Sequence, residues 1–198
     1  RLPVRVSVSA LKSLVDCPYR FFARHVLRLN ELDDVAETME KQDYGLLVHR
    51  SLERFHAAHP VVSEMSEDDA LAALTRIVED VFAAAEADNW LALGWRLRWQ
   101  SRLAGYLDWQ RRREADGWRW QAAEAPAARR FSLPDGGEVE LHGRIDRIDR
   151  MNGAPAALGL LDYKTMKRGD LRRLLADDIQ LPAYALMCEE AVQAAYVA

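Results

Sequence analysis

The spacing of apolar residues changes once along this chain, at Gly117, and that change limits the folds open to it. Before Gly117 the apolar positions recur at helical intervals. Leu11, Leu14, Val15 and Phe22 follow a Ser7 or Ser9 cap, and Pro18 ends or restarts that first helix. Tyr44, Leu47, Val48, Leu52 and Phe55 mark a second helix over about 37–58, closed by Pro60. Ser66 and the acidic turn Glu67-Asp68-Asp69 open a third, with Leu71, Leu74, Ile77, Val78, Val81 and Phe82 as its apolar stripe. A fourth follows Asn89 and carries Trp95, Trp99, Leu103, Tyr106 and Trp109 down to Arg113.

After Gly117 the pattern becomes that of strands. Residues 118–124 and 129–133 read as short strands, Pro134-Asp135-Gly136-Gly137 as a turn, and 138–148 alternates in period two, so a hairpin is expected. Asn152-Gly153 is another turn, and 156–164 is apolar enough for a strand buried on both faces. The polar, basic stretch 167–176 reads as a short helix or loop. Asp177 or Asp178 then caps a last helix over 179–191, with Pro182 tolerated in its first turn. The expected fold class is α+β: a mixed central β-sheet flanked by helices, with a helical N-terminal half.

Composition narrows the function classes. With 198 residues, 49% hydrophobic and 29% charged, the chain has the make-up of one globular domain, with a helical half over residues 1–116 and a sheet half over 117–198. Cys17 and Cys188 could form at most one bridge, which suits a reducing cytoplasm. No apolar run approaches the roughly 20 residues of a membrane span, and the opening RLPVRVSVSALKSL lacks a signal peptide's apolar segment. The net charge of -4 argues against a uniformly basic coat for nucleic acid, though not against local patches. The start at Arg1 and the stop at AAYVA read as a piece of a longer protein, truncated at its C-terminus.

Chemistry gathers at two short segments. Gly143-Arg144-Ile145-Asp146 lies on one strand and Asp162-Tyr163-Lys164 on the next. Alternate residues of a strand share a face, so Asp162 and Lys164 project together and Tyr163 away. If Asp146 lies near Asp162, two carboxylates and a lysine converge, and such carboxylates ionise together only around a cation, with magnesium or manganese favoured. A D-x-K triplet alone is common, but a charge ending a buried strand costs several kcal/mol unless it is partnered. His49 and Glu53 share a helical face, as do Gln180 and Tyr184.

GLLVHRSLE, GRIDRID, LLDYKT and QLPAY, in that order, resemble the successive motifs of the PD-(D/E)XK nuclease superfamily, specifically its RecB/AddB-type branch. The resemblance spans nearly the whole chain, from SVSALKSLVDCPYRFF to QLPAYALM, and implies a restriction-endonuclease-like α/β core. By that resemblance His49, Asp146 and Asp162 are metal ligands for Mg2+ or Mn2+, and Lys164 is catalytic beside Asp146 and Asp162. Asp149 lies close by, but the G-x-x-D match selects Asp146. Gln180 and Tyr184 match the QxxxY motif, which lies beside the active site and is thought to contact DNA, while Glu53 and Glu124 fall near positions where the family often has acids. Cys17 matches one ligand of the iron–sulfur cluster found in AddB-like members. That cluster needs three further cysteines that only a longer parent protein could supply, so both thiols are expected to be structural here.

For nucleic acid, Lys167, Arg168, Arg172 and Arg173 are the favoured contacts, because they lie between the D-x-K strand and the QxxxY helix. Arg96, Arg98, Arg102, Arg111, Arg112, Arg113, Arg129 and Arg130 are interleaved with tryptophans that are expected mostly in the core. The implied function is a metal-dependent DNA nuclease, an exonuclease by preference, acting on single- or double-stranded ends within a double-strand-break repair helicase–nuclease. The alternatives are a catalytically inactive DNA-binding or scaffolding domain of the same fold, and a helical interaction module with a coincidental D-x-K.

Overall fold

The computed structural model describes residues 3–29, 41–166, 169–171 and 178–198. Ser7 ends a short strand, β1 (Arg5–Ser7), and caps α1 (Val8–Asp16), its hydroxyl accepting from the Ala10 amide at 3.1 Å. Pro18 restarts the chain as α2 (Pro18–Phe21). The helical half continues with α3 (Lys41–Ala58) and α4 (Glu67–Asp88), the latter capped by Ser66. Its fourth pattern is broken into α5 (Leu91–Gln100) and α6 (Leu103–Ala115). The break falls at Ser101 and Arg102, where Leu103 turns fully into the core. Ala70 takes the buried position on α4 that the apolar stripe assigns to Leu71, which stays half-exposed.

The sheet half is simpler than its sequence suggests. One long strand, β2 (Trp118–Ser132), replaces the two expected pieces and pairs antiparallel with β3 (Glu138–Met151) across the Asp135-Gly136 turn. β4 (Ala154–Tyr163) follows antiparallel to β3. The final helix, α7 (Gln180–Met187), stops short of the expected 191. Its expected last turn instead starts β5 (Ala191–Val197), parallel to β4. β-Branched and small residues there satisfy the backbone of β4, which would otherwise be an open edge.

The five strands make a mixed sheet with a fork in it. β2 covers one edge of β3 along its length, while the other edge is shared: β1 takes Glu140 to His142, and β4 takes Arg147 to Met151. In the intervening G-R-I-D segment, Gly143, Arg144 and Ile145 therefore pair only with β2, and Asp146 lies between that stretch and the residues shared with β4. Helices α3 to α6 bury Val48, Leu52, Phe55, Leu74, Phe82 and Leu103 in one cluster that reaches Tyr163. A second cluster lies under α7, around Ile145, Leu160 and Tyr184. Among the tryptophans, Trp99 and Trp118 are buried, and Trp95 and Trp109 pack against the helical cluster, as core residues rather than base-stacking ones.

A polar network runs through this core. Arg147, 1% exposed, donates to the hydroxyls of Tyr106 and Tyr163 and to His56 Nε2 at 3.1–3.2 Å, and to Asp149 at 2.7 Å. Arg113 closes on the other side of Asp149 and lies over the Trp118 ring. Burial, with the nearby Arg147 charge, holds His56 well below the usual imidazole range, so the ring is neutral and accepts. Arg113 is thus a buried structural cation and not a member of a DNA-facing cluster. Gly159 is required beneath it, since a Cβ there would lie 2.6 Å from the Arg113 guanidinium and 2.8 Å from the Trp118 ring.

Candidate active site

The fork in β3 brings the predicted residues to one place. Asp146 follows the stretch paired only with β2, and the D-x-K peptide at the end of β4 lies beside it. The backbone of Tyr163, between the two charged residues, holds both Asp146 and His49. Its N–H donates to Asp146 Oδ2 at 2.8 Å, and its carbonyl lies 3.0 Å from His49 Nε2 on α3. A carbonyl only accepts, so Nε2 carries the imidazole proton and Nδ1 is left as the lone-pair nitrogen. Nδ1 faces the acids, 3.5 Å from Asp146 Oδ2 and 3.9 Å from Glu124 Oε1. A histidine that donates its far N–H to a backbone carbonyl has the tautomer and orientation of a metal ligand.

His49, Glu124 and Asp146 each offer a ligand atom, and these atoms lie within 4.8 Å of one another. Glu124 is the member with the weakest sequence signal. It lies across from Asp146, between the Ala123–Arg147 and Ala125–Ile145 pairs of the β2–β3 ladder, and has φ +48, a left-handed conformation that a glutamate rarely adopts. Such strain persists only where surrounding structure enforces it, and here it accompanies a third candidate ligand atom beside His49 and Asp146. One imidazole with two hard carboxylates fits a divalent cation of the magnesium or manganese type.

Asp162 stands slightly apart from that trio and is held by other groups. Only 1% exposed, it accepts from Gln180 Nε2 at 2.6 Å through Oδ1, while Oδ2 meets Lys164 Nζ at 2.5 Å. Lys164 also donates to Gln180 Oε1 at 2.9 Å, so one glutamine amide spans the acid and the lysine. Gln180 Nε2 reaches the Tyr184 hydroxyl at 3.1 Å as well, which places the QxxxY pair beside Asp162 and Lys164. Gly143 makes room for that helix: a Cβ would come within 3.0 Å of the Tyr184 ring and 3.1 Å of Val8. Asp149 points into the Arg147 network instead, which separates it from Asp146. Glu53, one turn beyond His49, makes no hydrogen bond or ion pair with the described residues. Lys167, Arg168, Arg172 and Arg173 lie outside the described residues. Cys17 and Cys188 are free and half-buried.

Electrostatics mark the site as well. Burial pushes the Asp146 carboxyl up to about 6, the nearby Asp162 charge adds to the rise, and His49 and the Tyr163 amide oppose it. Burial likewise raises Asp162 against the pull of Lys164. A cation must displace those protons, so its affinity is expected to climb as pH rises through about 6. Without a cation the sign is opposite for folding. A raised carboxyl holds its proton in the native state after the unfolded chain has lost it, so stability falls as pH rises from about 4 to about 6. Calorimetric Mn2+ titrations across that range check the first trend, and a flat affinity would contradict it.

The order of motifs and the donor geometry together narrow the family, and a family model for the PD-(D/E)XK nuclease superfamily matches residues 5–197. The chain belongs to the PD-(D/E)XK nuclease superfamily. Within that superfamily it resembles AddB-type proteins. It is 30% identical over 196 residues to the B-type subunit of the ATP-dependent helicase/deoxyribonuclease of Desulforudis audaxviator (strain MP104C), covering 88% of this chain and 16% of that protein. The protein of the same name from Symbiobacterium thermophilum is 30% identical over 188 residues, covering 84% and 16%. That from Geobacillus kaustophilus (strain HTA426) is 27% identical over 180 residues, covering 82% and 15%. The chain spans about one sixth of the length of these relatives. Among the described residues no helix is long and apolar enough to cross a membrane.

Proposed function

We propose that this PD-(D/E)XK chain is one nuclease domain that hydrolyses phosphodiester bonds in DNA with Mg2+ or Mn2+. The observation that carries the reading is the Tyr163 peptide, whose N–H orients Asp146 and whose carbonyl sets the His49 tautomer. His49 Nδ1, Glu124 and Asp146 would hold the cation, with Asp162 as the adjoining carboxylate. The chemistry such an ion supplies is polarisation of a phosphoryl oxygen and activation of water. Lys164, fixed by Asp162 and Gln180, has a third N–H to offer a water or a phosphate oxygen, and would stabilise negative charge as it develops there. Gln180 and Tyr184 would position the strand. Likeness to helicase/deoxyribonuclease proteins supports DNA as substrate and a helicase domain or subunit as partner.

Calorimetry with Mn2+ separates this reading from an inactive scaffold of the same fold. Wild type is expected to show saturable binding, weakened on the order of 10–100-fold in Glu124→Gln and in Asp146→Asn. Absence of any heat of binding, or equal affinity in both variants and wild type, would rule out this metal centre.

A further inference from the structure

A groove of about 540 Å³ lies between the first turns of α1 and β3 and reaches Gln180 and Tyr184 on the last helix. Gln180 and Tyr184 form its inner wall, so it begins at the side chains that hold Asp162 and Lys164. Its outer wall carries Ser7, Ser9 and Lys12 from the β1–α1 segment, with His142 and Arg144 from β3. Among the described residues lining it there is no carboxylate, although the chain has more acids than bases.

The β3 residues form a row. His142, Arg144 and Asp146 alternate onto one face, so they succeed one another at about 6.7 Å, away from the ligand set. Arg144 is largely exposed and 3.8 Å from Glu124, its nearest carboxylate. The next residue in that row, Glu140, is covered by Arg5 at 2.7 Å and by Arg130 at 3.5 Å. Lys12 has partners, Asp16 at 3.2 Å and Asp178 at 3.9 Å, but its pair with Asp16 is an exposed one of little worth, easily exchanged for a phosphate. Two cations, Lys12 and Arg144, and the Ser7 and Ser9 hydroxyls facing one groove, with a single tyrosine edge at the inner wall, suit a phosphodiester backbone rather than its bases.

We propose that this groove is the subsite for the sugar–phosphate backbone of a single nucleic-acid strand flanking the bond to be cut, gripped by Lys12 and Arg144 and aided by Ser9 and His142. The proposal rests on the nuclease reading for its direction, but it can be tested without catalysis. A fluorescein-labelled single-stranded oligodeoxynucleotide of about 12 nucleotides is titrated with the chain in EDTA, and anisotropy is followed at several salt concentrations. The Lys12→Ala/Arg144→Ala double variant is expected to bind about tenfold more weakly at low salt, and its salt slope should fall by about 0.7 for each phosphate no longer neutralised. Arg76→Ala, on α4, serves as the remote control and should leave both unchanged. A double variant that keeps wild-type affinity and slope, or a wild type that does not bind, overturns the groove. Should the groove variant lose binding while wild type fails to hydrolyse DNA with metal, the subsite stands and the nuclease reading falls. Wild-type hydrolysis with unaltered binding in the variant removes the subsite and leaves the nuclease reading in place.

Discussion

Replacing Lys164 with alanine is expected to lower DNA hydrolysis by about 10³-fold, the scale of a side chain acting on the reacting atoms. The loss should be chemical rather than structural. Lys164 follows the last residue of β4, about a fifth exposed, and no strand pairing depends on its side chain. Its removal leaves Asp162 buried without the nearest countercharge, and the carboxyl answers by holding its proton more tightly instead of unfolding the chain. Because Lys164 is not among the ligand trio, Mn2+ affinity should change much less than turnover. Single-turnover cleavage and calorimetry on the same preparation separate the two effects. Equal losses in both would mean that Lys164 supports the cation site and takes no part in the reaction.

Arg147→Ala is expected to cost about 3–5 kcal/mol of stability, measured by urea unfolding. The guanidinium is fully buried and joins residues from α3, α6, β3 and β4 through His56, Tyr106, Asp149 and Tyr163. Alanine would leave Asp149 to Arg113 alone and take the shared donor from His56, Tyr106 and Tyr163, which keep only one another as partners where water cannot reach. Burial alone would lower the Arg147 pKa, yet Tyr163, Tyr106 and Asp149 raise it, so the charge is firmly held. Lysine cannot restore the fork of contacts, because its ammonium is a point donor where the site uses a planar group. Arg147→Lys should therefore recover little. The network also bears on the active site, since the Tyr163 side chain is fixed in it while the Tyr163 backbone holds His49 and Asp146. A surviving population of Arg147→Ala at low temperature should bind Mn2+ more weakly than wild type.

The active-site strands were legible because their chemistry follows the two-residue period. Asp162 and Lys164 share a face by spacing alone, and the glycine of G-R-I-D keeps β3 close to α7. Glu124 was harder to assign, because nothing in AAEAPAA announces a left-handed residue in mid-strand. β1 is three residues long, too short for a pattern, and takes its place only from the open edge of β3. β5 follows a helix whose apolar sequence gives no stop before Cys188, and the vacant edge of β4 decides the matter. The Arg147 network could not be read at all. Its members are scattered at 56, 106, 113, 147, 149 and 163, and in sequence Arg113 looks like one more cation of an arginine run.

The most direct measurement is cleavage of end-labelled linear DNA by this chain with Mg2+, with EDTA, and with Mg2+ after Asp162→Asn. A metal-dependent nuclease built on Asp146, Asp162 and Lys164 gives products in the first reaction only, with the variant folded and still able to bind the oligonucleotide. Cleavage that persists in EDTA, or at wild-type rate in Asp162→Asn, would contradict it.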